Sequence, residues 1–307
     1  MTYDLKKDQS LALHDKISLT KEYISEYNRK HYGLSTVSFS GGIDSTVLLH
    51  MARTVIPDMK GVFSDTGLEY PEIRSFVKTF QNIDIVKPKM RFDQVIKKYG
   101  YPVVSKKVSR FISDLQNPTD KNENVRNLRL TGISRVTQPG KYQPSMKLPE
   151  KWKYLVDATF KISDKCCDML KKEPLNRYEK YNGTKRIIGI MADESEARVR
   201  QAKSYGIETD NYLAPMIFWT RQDVLKYIRL MKIPYCSVYG DIVDLPDGPL
   251  ETTGEHRTGC MFCMFGVHME KGENRFQRMK RNHPNQYEYC MNTLGCGDVL
   301  DYIGVKH

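Results

Sequence analysis

Four of the seven cysteines fall into two close groups. One is the adjacent pair in Ser163-Asp164-Lys165-Cys166-Cys167-Asp168, the other the turn Cys260-Met261-Phe262-Cys263. A Cys-x-x-Cys turn lets two thiolates converge on one centre, and soft sulfur donors select zinc or iron–sulfur clusters. Adjacent cysteines suit a zinc knuckle poorly, because its paired ligands are usually spaced by two or more residues, whereas a cubane offers a different iron to each thiolate. The pattern favours a 4Fe-4S cluster on Cys166, Cys167, Cys260 and Cys263. Three other readings stay open: a structural zinc site on all four thiolates, a redox dithiol at Cys260 and Cys263, and an apolar buried pair at Cys166-Cys167.

A second stretch with chemistry in it is Ser38-Phe39-Ser40-Gly41-Gly42-Ile43-Asp44-Ser45, which follows the β-branched Thr36-Val37 and runs into the apolar Thr46-Val47-Leu48-Leu49. That is a strand, a glycine turn and a helix start. Two glycines let several backbone N–H groups face one anion, and the helix N-terminus adds its partial positive charge. No Gly-Lys-Ser/Thr follows, which excludes the Walker arrangement, and no G-x-G-x-x-G occupies this first turn. The plain alternative is an ordinary turn with Asp44 as a helix cap.

The elements that must position these groups alternate. Strands are predicted over 35–39, 61–65, 83–87 and 186–191, with helical stretches between them, the pattern of a parallel sheet wrapped by helices. Ligands then sit beyond the carboxyl ends of the strands, where the glycine turn, Asp65-Thr66-Gly67 and the stretch from Gly189 to Arg198 all fall. Thr220 and Asp223 form a capping box for a helix from Arg221 to Met231, and Trp219 reads as core. From Gln9 to Lys30 the periodicity predicts an amphipathic packing helix that buries Leu11, Leu13, Ile17, Tyr23 and Ile24.

The octapeptide resembles the PP-loop, Ser-Gly-Gly-x-Asp-Ser, of ATP pyrophosphatases and their adenylyl-sulfate relatives. From about Ser35 to Gly266 the chain resembles the phosphoadenylyl-sulfate (PAPS) reductase family. The matching stretches are Phe63 to Glu72 with its Asp-Thr-Gly, Ile188 to Arg198, Pro215 to Val224 with Ile233-Pro234-Tyr235, and the paired cysteines, which are similar to the cluster ligands of the adenylyl-sulfate-reducing branch. The resemblance implies an α/β fold of the PP-loop, adenine nucleotide alpha hydrolase-like kind, a parallel sheet with helices on both faces and a cysteine-rich C-terminal extension. It implies an N-terminal helical segment at 1–34, a nucleotide-binding domain at 35–240 and a cluster-binding, basic helical region at 241–307. Nucleotide contacts are expected from Ser38, Ser40, Gly41, Gly42, Asp44, Ser45, Asp65, Thr66, Gly67 and Gly189. Arg198 is expected to face the substrate anion.

Two reactions fit the resemblance, both belonging to sulfur metabolism. An intact PP-loop suits cleavage of ATP between the α and β phosphates, with Ser40, Ser45 and the loop amides on the departing pyrophosphate, Mg²⁺ offsetting its charge and Asp44 orienting loop or metal. Such a transferase would adenylate an acceptor oxygen and let sulfur replace it, as in the small subunit of ATP sulfurylase or, more closely, the sulfur-inserting enzymes of DNA phosphorothioation; its partner would be a sulfur donor protein. The alternative is an oxidoreductase that converts adenylyl sulfate or its 3′-phosphorylated form to sulfite, with Cys296 as nucleophile and a thioredoxin-type dithiol as reductant. For that reading Leu294-Gly295-Cys296-Gly297-Asp298 keeps Cys-Gly but lacks the family's glutamate and histidine, and Val299 to Ile303 reads as an ordered helix.

The 307 residues carry a formal charge of +11, which suits nucleotides, sulfate and an anionic cluster and leaves nucleic acid open as a partner, including as a non-catalytic binder. Arg275, Arg278 and Arg281 recur on one helical stripe, and Lys106-Lys107-Val108-Ser109-Arg110 is a second dense run. The polar stretch 117–152 reads as an insertion whose Arg126 and Arg129 can reach substrate. His256, Arg257 and His268 flank the cysteines as candidate donors to cluster sulfurs, and Cys236 and Cys290 read as buried thiols without a partner motif. The charged opening from Met1 to Leu13 and the absence of a long apolar run point to the cytoplasm, with no membrane partner.

Overall fold

In the computed structural model, residues 4–136, 139–246 and 248–307 are described. Parts of the expected N-terminal segment (1–3) and insertion (137–138) lie outside them. The described strands are β1 Ser35–Ser38, β2 Gly61–Ser64, β3 Ile83–Val86, β4 Val103–Val104, β5 Lys185–Ile187, β6 Tyr212–Leu213, β7 Ile242–Asp244, β8 Leu250–Thr252 and β9 Met264–Phe265. Contacts divide the chain into two compact units. One contains Met1–Asp65, Glu69–Lys87 and Pro174–Thr258; the other contains Thr66–Leu68, Pro88–Glu173 and Gly259–His307.

The first unit is the predicted parallel sheet, in the order β3-β2-β1-β5-β6, flanked by helices. Its central strands are covered on both faces: Val37 and Ile187 are fully buried and Val62 and Phe63 nearly so, as parallel strands require. β5 ends at Ile187, short of the expected 191, and the backbone after it runs close to the start of the helix Ile43–Val55 at Gly189. That helix buries eight of its residues against β1 and against the helices Leu13–Lys30 and Arg221–Met231. Leu13–Lys30 buries Ile24 as predicted, but its other deeply buried residues are Lys16, Thr20 and Tyr27. Polar partners explain two of these: Lys16 Nζ meets Asp223 Oδ2 at 2.7 Å, and Thr20 Oγ1 accepts from Trp219 Nε1 at 2.9 Å. The capping box of Thr220 and Asp223 forms as expected, and Trp219 is fully buried.

The second unit departs from the expected boundaries at 34/35 and 240/241. Residues 88–173 group with the C-terminal region because β4 pairs in parallel with β9. Within it, the stretch read as irregular insertion holds the helix Glu123–Thr131 and the 3-10 helix Glu150–Asp157. Arg129 is buried there on the Phe111 ring, paired with Asp114 at 2.9 Å, so it packs the unit rather than reaching for substrate. Among the described residues no helix is long and apolar enough to cross a membrane.

Candidate functional site

The loop residues gather at the carboxyl end of β1, where the strand order switches between β2 and β5, the usual ligand position of such sheets. Gly41 adopts φ +73°, and a Cβ there would meet Val77 Cγ2 at 2.8 Å, so both conformation and space demand glycine. Gly42 caps the helix Ile43–Val55, which removes the reading of Asp44 as its cap. Hydroxyls organise the turn. Ser45 Oγ donates to Gly42 O at 2.9 Å, accepts from Ser40 N at 3.1 Å and lies 3.0 Å from Ser40 Oγ. Gly42 N donates to Ser40 Oγ at 3.3 Å, and Ile43 N donates to the Tyr239 hydroxyl at 3.3 Å.

Asp44 stands one residue into this helix with its Oδ1 buried and without a hydrogen-bond partner. Burial, and then the charge of Glu194, push its carboxyl up to about 6 against the pull of Arg221 and Arg257. A buried carboxylate oxygen without a donor is costly unless a cation or a proton meets it, so this loop fits a divalent ion brought in with a phosphate ligand. Gly189 brings the backbone after β5 to the same place: a Cβ on it would lie 3.3 Å from Asp44 O. Farther along that stretch, Glu194 accepts from Met191 N and from Arg257 Nη2, each at 3.0 Å. Arg198 Nε lies 3.9 Å from Glu194 Oε2, and its Nη1 donates to Gln201 at 2.7 Å. Asp65, directly after β2, accepts from Arg74 Nη2 at 3.1 Å.

In the second unit, Thr66 Oγ1 accepts from Leu68 N, and Gly67 takes φ +77° in open space. The four paired cysteines line one small apolar cavity there, walled by Leu68, Phe92, Leu170 and Phe262. Cys166 and Cys167 Sγ lie 4.0 Å apart. The Cys166 thiol donates to Cys167, which lowers Cys167 to about 6 with help from Lys106 and Lys171, while Cys166 is pushed up by that bond and by burial. Burial also raises Cys263, whose carbonyl oxygen accepts from Arg275 Nη1 at 3.0 Å. Val104, paired with Phe265 just beyond this turn, holds φ +59°, a strained value for a β-branched residue. Among the described residues no three His, Cys, Asp or Glu side chains converge as a single metal ion needs. Four sulfur donors around an apolar hollow fit a larger, polynuclear group held by soft ligands.

The pattern of the phosphoadenosine phosphosulfate reductase domain matches residues 35–111 and 122–297. The chain belongs to this family. An uncharacterized protein of Methanocaldococcus jannaschii is 26% identical over 295 residues, covering 94% of this chain and 54% of that protein. An adenosine 5′-phosphosulfate reductase of Geobacillus sp. (strain WCH70) is 25% identical over 202 residues, 64% of this chain and 63% of that enzyme. The chain thus spans less than two thirds of either relative. Among solved structures, a PAPS reductase from Candida auris in a phosphate complex is similar, with a TM-score of 0.40 and 16% identity over 76% of this chain and 96% of that one. A tRNA thiolase from Methanococcus maripaludis with its 4Fe-4S cluster has a TM-score of 0.36 and 13% identity over 95% of this chain and 82% of that one.

Other expected positions of this family member land differently. Cys296, the nucleophile of the reductive alternative, is fully buried at the start of the helix Cys296–Tyr302, where its thiol hydrogen bonds with Cys290. Cys290 is buried as expected but does have a partner. His256 and Arg257 turn to Glu251 and Glu194 in the first unit, and His268 stands edge-on to Trp152. The arginines of the C-terminal stripe are tied up: Arg275 and Arg278 by Glu270, and Arg281 by Glu273 at 2.7 Å. Tyr239 escaped the sequence reading because it lies far along the chain from the loop and in no motif of its own; Glu194 and Arg221 fall inside matched stretches but carry no local sign that their charges act on Asp44.

Proposed function

We propose that the chain is an ATP pyrophosphatase that adenylates an acceptor oxygen and so lets sulfur replace it. The observation that carries this reading is the intact hydroxyl- and amide-lined loop with the orphaned Asp44 Oδ1 in its first helical turn. A triphosphate with its Mg²⁺ would satisfy both parts of that arrangement.

The acceptor oxygen attacks the α-phosphorus of ATP, and the bond to the β-phosphate breaks with its electron pair leaving on pyrophosphate. Ser40, Ser45 and the N–H groups of the loop stabilise that leaving group, and Asp44 holds the cation that accompanies it. Arg198 offsets charge on the α-phosphate or the acceptor. A sulfur nucleophile at the level of hydrosulfide, delivered by a donor protein, then displaces AMP from the activated acceptor. Cys166, Cys167, Cys260 and Cys263 would hold a 4Fe-4S cluster, whose iron–sulfur chemistry suits the handling of that sulfur. Lys106 and Lys171 favour the thiolate form that such ligation needs. A nucleic-acid acceptor is consistent with the charge of +11. Reduction of adenylyl sulfate fits less well, because the buried Cys296 offers a dissolved substrate no exposed sulfur.

Anaerobically purified, iron-loaded protein incubated with Mg²⁺–ATP, hydrosulfide and candidate acceptors should release pyrophosphate and AMP in equal amounts. Release that is unaltered in Ser45→Ala would overturn the assignment.

A further inference from the structure

We infer that Tyr239, oriented by Thr258, is a side-chain ligand of the pyrophosphate group held by the loop. This inference rests on the adenylating reading of the loop and adds to it a residue that belongs to none of its motifs. Tyr239 lies in the 3-10 helix Ser237–Tyr239 and Thr258 at the end of the same unit, yet both hydroxyls reach the loop. A Cβ on Gly42 would stand 3.1 Å from the Tyr239 hydroxyl and 3.3 Å from both Ser40 Oγ and Thr258 Oγ1. Glycine at 42 thus leaves room for three hydroxyls around one Cα.

The hydrogen-bond inventory of a phenol gives the direction of the argument. It carries one proton and two acceptor sites. Ile43 N donates into one site at 3.3 Å, and Thr258 Oγ1 lies 2.5 Å away in a contact where either hydroxyl can donate; we assign the donated proton to Thr258. With Thr258 as donor, both acceptor sites are filled by the protein and the phenol's own proton is left for a third group. The Tyr239 hydroxyl takes up the Ile43 N–H and so stands beside the loop that an anion would occupy at this helix start. An anion seated there would meet the phenolic proton in place of that amide. Tyr239 is buried, and burial pushes its hydroxyl up to about 12, so it remains a donor throughout the range in which pyrophosphate is charged. Tyr239 is in this account a binding residue and Thr258 a positioning residue.

The test is calorimetric titration of the full chain with Mg²⁺–pyrophosphate and, separately, with AMP. Tyr239→Phe keeps the ring and removes the donor, and should weaken pyrophosphate binding about 10-fold, as expected for one hydrogen bond to a charged acceptor, while AMP binds unchanged. Thr258→Val should weaken pyrophosphate in the same direction, and the double variant should be no worse than Tyr239→Phe alone, because Thr258 acts through the phenol. Should Tyr239→Phe lose AMP as well through misfolding, Thr258→Val carries the test. Pyrophosphate binding as tight as wild type, or tighter, in these variants while Ser45→Ala abolishes it would overturn the role of the pair and leave the loop reading intact. Failure of the unaltered protein to bind pyrophosphate at all would overturn the loop reading, and this inference with it.

Discussion

The two units present opposite kinds of donor. In the first, the groups gathered at the strand ends are hydroxyls, amides, carboxylates and guanidinium groups: Ser40, Ser45, Asp44, Glu194, Arg221 and Arg257. They are hard, hydrogen-bonding groups suited to phosphate and a hard cation. In the second, four thiols line an apolar hollow with two lysines acting on them. These are soft ligands, and the environment favours polarizable iron and sulfur. The contrast teaches that the hard groups suited to phosphate and the soft thiols belong to separate compact units of the chain. Each should therefore be removable without the other.

The largest effect expected is from Ser45→Ala. Its hydroxyl meets Ser40 N, Ser40 Oγ and Gly42 O together, so the loop loses its internal brace and a donor. Pyrophosphate release should fall by about 100-fold or more, with iron content unchanged in metal analysis. The reciprocal change is Cys263→Ser, which should remove most of the bound iron and sulfide while calorimetric affinity for ATP stays within about 3-fold of wild type. Loss of nucleotide affinity there would break the separation of the two chemistries.

A smaller effect concerns Asp44. Its folded pKa, about 6, lies above the ordinary carboxylate value, so the folded state favours the protonated form. The sign follows by linkage: this contribution to stability is fully present below about pH 4 and is lost as pH rises through 6. Asp44→Asn should then be more stable than wild type at pH 7, by on the order of 2 kcal/mol, and equal to it near pH 3.5 in denaturant titrations without nucleotide. A wild type that is the more stable at pH 7 would contradict the burial of Asp44. The smallest effect is expected in the thiol unit. Arg275→Ala frees the Cys263 carbonyl, and iron should leave about 10-fold faster under a chelator, with pyrophosphate release unaffected.

Much of this contrast was legible in the sequence, and for physical reasons. Gly41, Gly42, Asp44 and Ser45 are neighbours along the chain, so local backbone chemistry alone announces their turn. Cys166-Cys167 and Cys260/Cys263 announce themselves by residue type. The capping box of Thr220 and Asp223 is likewise a short-range pattern. What escaped is set by contacts distant in sequence. Lys16 reads as a solvated face until Asp223 is placed against it. Tyr239 meets Ile43 across almost two hundred positions, and residues 88–173 join the C-terminal region through long-range contacts such as the pairing of β4 with β9 and the Tyr101 hydroxyl on Leu294 O. The basic stripe is the exception, because the groups that neutralise it, Glu270 and Glu273, lie close in sequence, just before its helix. Cys296 lacks any local sign of the thiol contact with Cys290 that holds it inside.

The most direct test is a single anaerobic incubation of the iron-loaded chain with Mg²⁺–ATP, adenylyl sulfate, hydrosulfide, a dithiol reductant and candidate oxygen acceptors, with the phosphorus and sulfur products measured together. The account predicts pyrophosphate and AMP formed from ATP, no sulfite, and no change in either on Cys296→Ala. Sulfite released without pyrophosphate, and lost on Cys296→Ala, would contradict it.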